Sequence, residues 1–371
     1  MAISKIESDS ITTSAITTDK ISSDAPLGMR NLIINGDMRI AQRGTSASGL
    51  TSTGYQTVDR MEFQIGSLGT WTMTQDSDVP TGQGFGKSFK LACTTADASP
   101  ATSDSLAVNY KMEGQDIQHL AYGTASAKSL TLSFWVKSNK TGTYINELVN
   151  TDVGKQISKS YTISSADTWE KKTMTFAGDT VSGFTNDNNL SMYLRFYFGA
   201  GTDLTSGTLN TSWATTVNAN RAVGQVNLAD STSNYINITG VQLEVGDTAT
   251  PFEHRMYGTE LALCQRYCIN YGYPFSTPVA SRRLGSGSPF SSTSAYLSIG
   301  APCKMRATPS VSGQMNLNSN GFSASISSFG SIHSDSGVIT LETISSAIPT
   351  TQPVMLRFNT TTDYLRFDAE L

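Results

Sequence analysis

The residues best placed to do chemistry in this chain are aromatic and lie on strand-like stretches. In LSMYLRFYF (190–198), Leu190, Met192, Leu194, Phe196 and Phe198 share one parity, and Tyr193, Arg195 and Tyr197 the other. Successive side chains of a strand point to opposite faces, so the first five predict a buried face and the last three an outward one. SLTLSFWVK (129–137) repeats the pattern, with Leu130, Leu132, Phe134 and Val136 inward and Trp135 outward. An outward Trp, two Tyr and an Arg could stack on the apolar faces of sugar rings and hydrogen-bond their hydroxyls. The same residue types also cover subunit interfaces. Both readings stand, and the glycan reading needs the two strands to share a sheet. Trp213 joins the candidates from a long stretch of weak strand signal between Gly199 and Asp230, where an exposed binding loop is expected.

No catalytic set accompanies these groups. The chain lacks a GxSxG elbow, an HExxH helix, a Walker A loop and the Rossmann glycines. TGQGFGKS (81–88) has glycines and a Gly-Lys-Ser end but not the Walker spacing, and Lys87 leads into a strand, so a turn is expected. Paired carboxylates could hydrolyse a glycan, but no Asp/Glu pair stands apart from ordinary solvated carboxylates. Cys93, Cys264, Cys268 and Cys303 form no CxxC pair, and His119, His254 and His333 are scattered, so the expectation is small buried thiols, no metal and no cofactor. The chain therefore reads as a binding or structural protein, not an enzyme.

The elements that would position the aromatics are mostly β. From Arg30 to about Phe252 short alternating segments read as strands, at 31–34, 60–65, 70–74, 87–93, 106–112, 129–136, 143–149, 170–176, 190–198 and 235–245, with turns such as NKTG and TNDNN between them. The pattern predicts a jelly-roll β-sandwich over 30–252. In VQLEVGD (241–247), Val241, Leu243 and Val245 alternate with Gln242 and Glu244, and after Pro251 the period changes. Leu261, Cys264, Tyr267, Cys268 and Tyr271 recur at helical steps, predicting a short helix within a linker over 253–271. A second β block over 272–371 predicts a C-terminal β-sandwich at the tip.

Residues 1–29 carry Ile3, Ile6, Ile11, Ile16 and Ile21 isolated among Ser, Thr and Asp. One copy cannot bury them, whereas three parallel copies could, which predicts an extended trimeric stalk or docking segment and a homotrimer. A disordered leader is the other reading. The chain has 371 residues, a formal net charge of −4 and only 15% charged residues, with no Lys/Arg cluster to neutralise phosphates, so no nucleic acid is expected as partner. No apolar run approaches the ~18 residues of a transmembrane helix, and MAISKIESDS lacks a secretory core, so membrane insertion is not expected and synthesis in a cytoplasm is.

Three segments carry a resemblance. VQLEVGDTATPFEHRMYGTELALCQRYC (241–268), RNLIINGDMRIAQRGTS (30–46) and PCKMRATPSV (302–311) resemble the joint, the jelly-roll opening and the C-terminal domain of tailed-bacteriophage tail fibre and receptor-binding proteins, and YLRFDAEL (364–371) resembles their closing strand. The resemblance frames residues 30–371. It implies a virion protein attached to a tail or baseplate through residues 1–29, with its β domains binding a host surface receptor such as a glycan. A decoration, collar or head fibre protein without receptor binding is the alternative. A looser resemblance links residues 30–245 to jelly-roll carbohydrate-binding modules, many of which hold a structural calcium with acidic residues after the NGD opening and before the closing strand. Arg39 and Ile40, and Thr239 and Gly240, stand near those places here, so no calcium site is assigned.

Overall fold

The computed structural model describes residues 29–276, 282–319, 322–335, 338–345, 348 and 350–371. The expected stalk over 1–29 lies outside the described residues, apart from Met29. The first thirteen strands are β1 (Ser46–Leu50), β2 (Gly54–Tyr55), β3 (Glu62–Gly66), β4 (Thr70–Asp76), β5 (Ser88–Thr95), β6 (Ser105–Glu113) and β7 (Leu130–Ser138), then β8 (Gly142–Asn150), β9 (Lys155–Ile163), β10 (Glu170–Phe176), β11 (Leu190–Ala200), β12 (Ala214–Thr215) and β13 (Tyr235–Val245). They form a six-stranded sheet, β1-β4-β5-β13-β7-β10, and a seven-stranded sheet, β12-β9-β8-β11-β6-β3-β2. The named pairings are antiparallel, and the two inner faces enclose one core.

The period-2 reading of the sequence explains that core. Leu130, Leu132, Phe134 and Val136 are fully buried, and so are Met192, Leu194, Phe196 and Phe198, while Leu190 at the strand end is half-buried. Phe134 meets Phe196 edge-on across the sandwich, with ring centroids 5.2 Å apart. β9 lies outside the expected strand set, because KQISKSYTI carries Ser and Lys among its apolar residues. It pairs with β8 along its whole length and buries Ile157 and Ile163.

Asn31–Ile34, expected as a strand, is instead an irregular clasp. The Asn31 side chain accepts from the backbone N–H of Leu243 (3.0 Å) and of Ile33 (2.9 Å) and donates to the Val241 carbonyl (3.1 Å). An asparagine amide thus takes over pairing that a backbone strand would have made. Asn35, at φ 61°, ties Ile40 and the Asp59 carbonyl together through its amide and takes the Glu260 carboxylate on its backbone N–H.

The joint is shorter than its periodicity suggests. Its helix, α2 (Tyr257–Gln265), follows a single-turn helix, α1 (Thr202–Thr205), in the loop after β11. Within α2 the buried residues are Glu260 and Cys264, and Leu261 is only half-buried. Tyr267 lies in a turn, and Cys268 and Tyr271 belong to a strand, β14 (Cys268–Gly272). Apolar i, i+3, i+4 spacing spans a helix end here, because residues on both sides of the turn face the same interior.

The C-terminal block is all-β, as expected. Its strands are β15 (Arg283–Pro289), β16 (Ser294–Gly300), β17 (Ser310–Gln314), β18 (Asn316–Ser319), β19 (Phe322–Asp335), β20 (Val338–Ser345), β21 (Val354–Arg357) and β22 (Tyr364–Asp368). β14, β22 and β17 make a three-stranded sheet, and the other six close into a barrel. The two share a core that includes Ile269, Phe367, Leu297, Leu317 and Leu356. Closure removes the exposed edges that an open sandwich of short strands would have left.

The two β blocks meet through buried ions. Arg60, fully buried at φ 70°, lies 3.4 Å above the Tyr267 ring and 5.2 Å from that of Tyr110, pairs with Glu370 and donates to the Lys111 carbonyl. Arg43 reaches Asp368 (2.7 Å), Glu370 (3.3 Å) and Asp59 (3.9 Å). Burial lifts the Asp59 carboxyl from its ordinary 3.8 to about 6, against the opposing pull of Arg43 and two hydrogen bonds from Gln42. A carboxyl whose folded pKa is raised stabilises the fold most below its unfolded pKa, and that contribution is lost as pH rises through the folded value. Melting curves of the parent and of Asp59→Asn, taken between pH 7 and pH 4.5, should therefore diverge. The parent is expected to gain stability relative to the variant as pH falls through 6, and parallel curves would show that Asp59 stays ionised throughout.

Candidate functional site: an aromatic cleft on the six-stranded sheet

The structure separates the expected aromatic set. Trp135 lies on the outer face of the six-stranded sheet, whereas Tyr193, Arg195 and Tyr197 lie on the outer face of the seven-stranded one. The core stands between them, so one ligand cannot touch both groups.

The sheet face around Tyr197 is also occupied. Tyr197 is fully buried, packed with Ala107, Ile145 and Ala222, and Leu204 and Leu209 from the 199–230 excursion lie over this cluster. Arg195 donates to Asn109 (2.7 Å) and to the Tyr197 hydroxyl (3.2 Å), and that hydroxyl donates to Glu147 (3.2 Å). Arg221, from the excursion, forks onto Glu147 at 2.9 and 2.8 Å and holds the Tyr193 hydroxyl at 2.7 Å. Alternation shows which side of a strand a residue leaves, but not whether a later loop covers that side. Here the loop does, and these groups form the floor beneath it. Trp213, expected to be exposed, is half-buried: its indole N–H donates to the Ala177 carbonyl (2.6 Å), and its ring meets Tyr122 edge-on at 5.8 Å.

Trp135 keeps an open side. It lines a cleft of about 500 Å³ together with Phe85, Phe252, His254, Gln83 and Lys171, within the usual range of small-ligand sites, about 300–1,000 Å³. Three distant stretches build it. Lys171 is the cross-strand partner of Trp135 on β10, so both leave the same face. The TGQGFGKS turn between β4 and β5 projects Phe85 onto Gly240, where the pairing of β13 with β7 shifts register. Gly240 is at φ 62°, and a Cβ there would fall 2.5 Å from the Phe85 ring, so both the turn of the chain and the close approach require glycine. The segment after β13 brings Phe252, 5.1 Å from Phe85 and edge-on to it, and His254, 4.9 Å from Phe252.

Polar capacity in the cleft is unspent. Among the described residues, the side chains of Gln83, Lys171 and His254 make no hydrogen bond or ion pair. Burial of His254, with Arg39 adding to it and Asp37 opposing, holds its imidazole below the ordinary value, so it is neutral near pH 7. A neutral imidazole can both donate and accept. The cleft thus offers apolar rings, an ammonium, an amide and an imidazole, and its lining includes no carboxylate. Gln83, Phe85, Phe252 and His254 escaped the sequence reading. Phe85 sat inside a glycine turn and Phe252 in the TATPFE stretch, with about 170 residues between them and no periodicity to link them.

The motif residues themselves have structural partners. Glu113 takes a fork from Arg266 (2.8 and 2.6 Å) and the Tyr267 hydroxyl (2.6 Å), which anchors LCQRYC to β6. Burial would push the Glu113 carboxyl up, but those hydrogen bonds and the Arg266 charge outweigh it and hold the carboxyl below its ordinary value. Glu244 takes the backbone N–H of Thr250 (2.9 Å) and its hydroxyl (2.6 Å), and Glu253 takes the Asn31 N–H (2.9 Å). In the PCKMRATPSV stretch, Arg306 donates to the carbonyls of Ala369 (2.7 Å), Glu370 (3.0 Å) and Asn188 (3.0 Å). Burial also pushes the Cys264 and Cys268 thiols well up, which leaves them unreactive packing groups. Among the described residues no group of three or more His, Cys, Asp or Glu is placed to hold a metal ion, and no helix is long and apolar enough to cross a membrane.

No protein-family model matches this chain, and no curated protein does. Solved structures do. The chain is similar to the enzymatically active domain of tailspike protein 4 of bacteriophage CBA120, at 14% identity and a TM-score of 0.31, over 58% of this chain and 21% of that one. It is similar to a family 11 carbohydrate-binding module from Clostridium thermocellum in complex with a β-1,3-1,4-mixed-linked tetrasaccharide (14%, TM-score 0.26, 61% of this chain and 97% of that one). A third likeness is to TmCBM61 in complex with β-1,4-galactotriose (9%, TM-score 0.28, 58% and 99%). At identities and TM-scores this low, no residue role is carried over from any of them.

Proposed function

We propose that this chain is a non-enzymatic phage tail fibre protein that binds a host surface glycan through the Trp135 cleft and joins the tail or baseplate through residues 1–29. The observation that carries the binding half is the cleft itself: three aromatic rings beside three polar side chains that make no hydrogen bond or ion pair among the described residues. A ring face lying on Trp135 loses water from both apolar surfaces, and Gln83, His254 and Lys171 are then within the same cleft to take hydroxyls. Per-site affinity is weak in such shallow sites, and three copies in a homotrimer would raise it by avidity. The attachment half rests on the sequence resemblance and on the isoleucine ladder of residues 3–21.

Adsorption of the purified chain to host cells, and its competition with infection, tests the reading. Trp135→Ala is expected to lower adsorption at least tenfold while the melting temperature stays put, because the indole is only half-buried and lines the cleft. Unchanged adsorption would remove the cleft from the host-binding role. Deletion of residues 1–29 is expected to leave a soluble β protein that no longer joins the virion, and retained incorporation would place the docking surface elsewhere. Solution mass measurement of the full chain reads the trimer directly.

A further inference from the structure

A second cavity lies where the jelly roll meets the C-terminal block. It measures about 540 Å³ and is lined by Arg43 and Gly44–Ser46 on one side and by Tyr273, Thr362, Tyr364 and Arg366 on the other. Its two arginines differ in a way that matters. Arg43 has three carboxylates within 3.9 Å, so its charge is fully engaged. Arg366 has no ion pair and no side-chain hydrogen bond among the described residues, and its guanidinium lies 5.4 Å from the Tyr364 ring.

Two buried atoms at this position of the three-stranded sheet are orphaned among the described residues. One is Nε of Arg366, and the other is Oδ1 of Asn270, its cross-strand partner on β14. A donor and an acceptor buried without partners are costly, and each such group calls for a missing one. The cavity lining holds no carboxylate. The hydroxyls of Thr45, Ser46 and Thr362 line it as well, and Tyr273, 48% exposed, stands at its edge.

From these features we infer that the crevice is a second saccharide site, which takes a carboxylate-bearing sugar with its carboxylate on Arg366. A planar guanidinium matches a carboxylate with two parallel hydrogen bonds. The hydroxyls of Thr45, Ser46 and Thr362 can hydrogen-bond the ring hydroxyls, and the tyrosine rings offer a face for the pyranose. The site is independent of the Trp135 cleft, which lies on a different part of the jelly roll and is lined by other residues.

Titration calorimetry on the full chain tests the assignment, with a disaccharide ending in glucuronic acid, its glucose-ended counterpart, and inorganic phosphate as probes. The acidic disaccharide is expected to bind at least tenfold more tightly than the neutral one and to weaken as salt is raised. Arg366→Met should lower its affinity at least tenfold with little change in melting temperature, since among the described residues that guanidinium makes no ion pair or hydrogen bond, and Tyr273→Ala should weaken it several-fold. Trp135→Ala should change nothing here, so failure of the cleft reading and failure of this one are separate results. Equal affinity for the two disaccharides, unchanged affinity in Arg366→Met, or binding of phosphate with none of the acidic sugar would each overturn the assignment.

Discussion

Arg60→Ala is expected to destabilise the folded chain by about 3–5 kcal/mol, the range found when one partner of a buried ion pair is removed. Three losses add up at this position. Among the described residues, Glu370 keeps only Arg43, at 3.3 Å, as an ion-pair partner for a carboxylate that is 4% exposed. The Lys111 carbonyl loses a donor at 2.6 Å. The slot between the rings of Tyr110 and Tyr267 is left empty, and neither ring can close it without disturbing β6 or the joint. Because Glu370 belongs to the C-terminal block and Arg60 to the jelly roll, the loss falls on their docking. Denaturant unfolding followed by tryptophan fluorescence and by far-ultraviolet circular dichroism reads this directly, since all four Trp lie in the jelly roll. The two probes should coincide in the parent and separate in the variant, with the C-terminal block melting first. Coincident curves at the parent's midpoint would show that the blocks are held together by their apolar contacts and not by the ion cluster.

Gly36→Ala is expected to cost about 2–4 kcal/mol, more than most single-methyl insertions into a packed interior. A Cβ at this position would fall 2.1 Å from the carbonyl oxygen of Val241 and 3.3 Å from the Asn31 amide nitrogen. The first neighbour is backbone and cannot swing aside. The Gly36 carbonyl also accepts the Val241 N–H at 2.8 Å, so moving the loop away breaks that bond and the Asn31 bond to Val241 together. Thermal melting checks it, and a variant within 1 °C of the parent would mean that the opening loop can shift as a unit. The prediction also explains why a glycine follows Asn35 in this opening: β13 and the N-terminal clasp approach too closely for any side chain.

The sequence carried the β character, the inward faces of β7 and β11 and a short helix after Pro251. Each of these follows from local chemistry. A strand's parity is set by its own backbone, so Leu130, Leu132, Phe134 and Val136 could be assigned to a core before any partner was known. Turn positions followed from glycine and asparagine in the same way. Helix length did not, because buried residues on both sides of the turn at Tyr267 mimic helical spacing. Only the tertiary structure decided which outward aromatics stay open. Trp135 and Tyr193 leave their strands alike, yet one faces a cleft and the other lies under Arg221, because Leu204, Leu209 and Arg221 of the 199–230 excursion cover that face of the seven-stranded sheet. The cleft and the crevice were invisible for the same reason: Phe85 with Phe252, and Arg43 with Arg366, are neighbours only once two sheets and a barrel have closed, and nothing in their local sequence marks a contact over such separations.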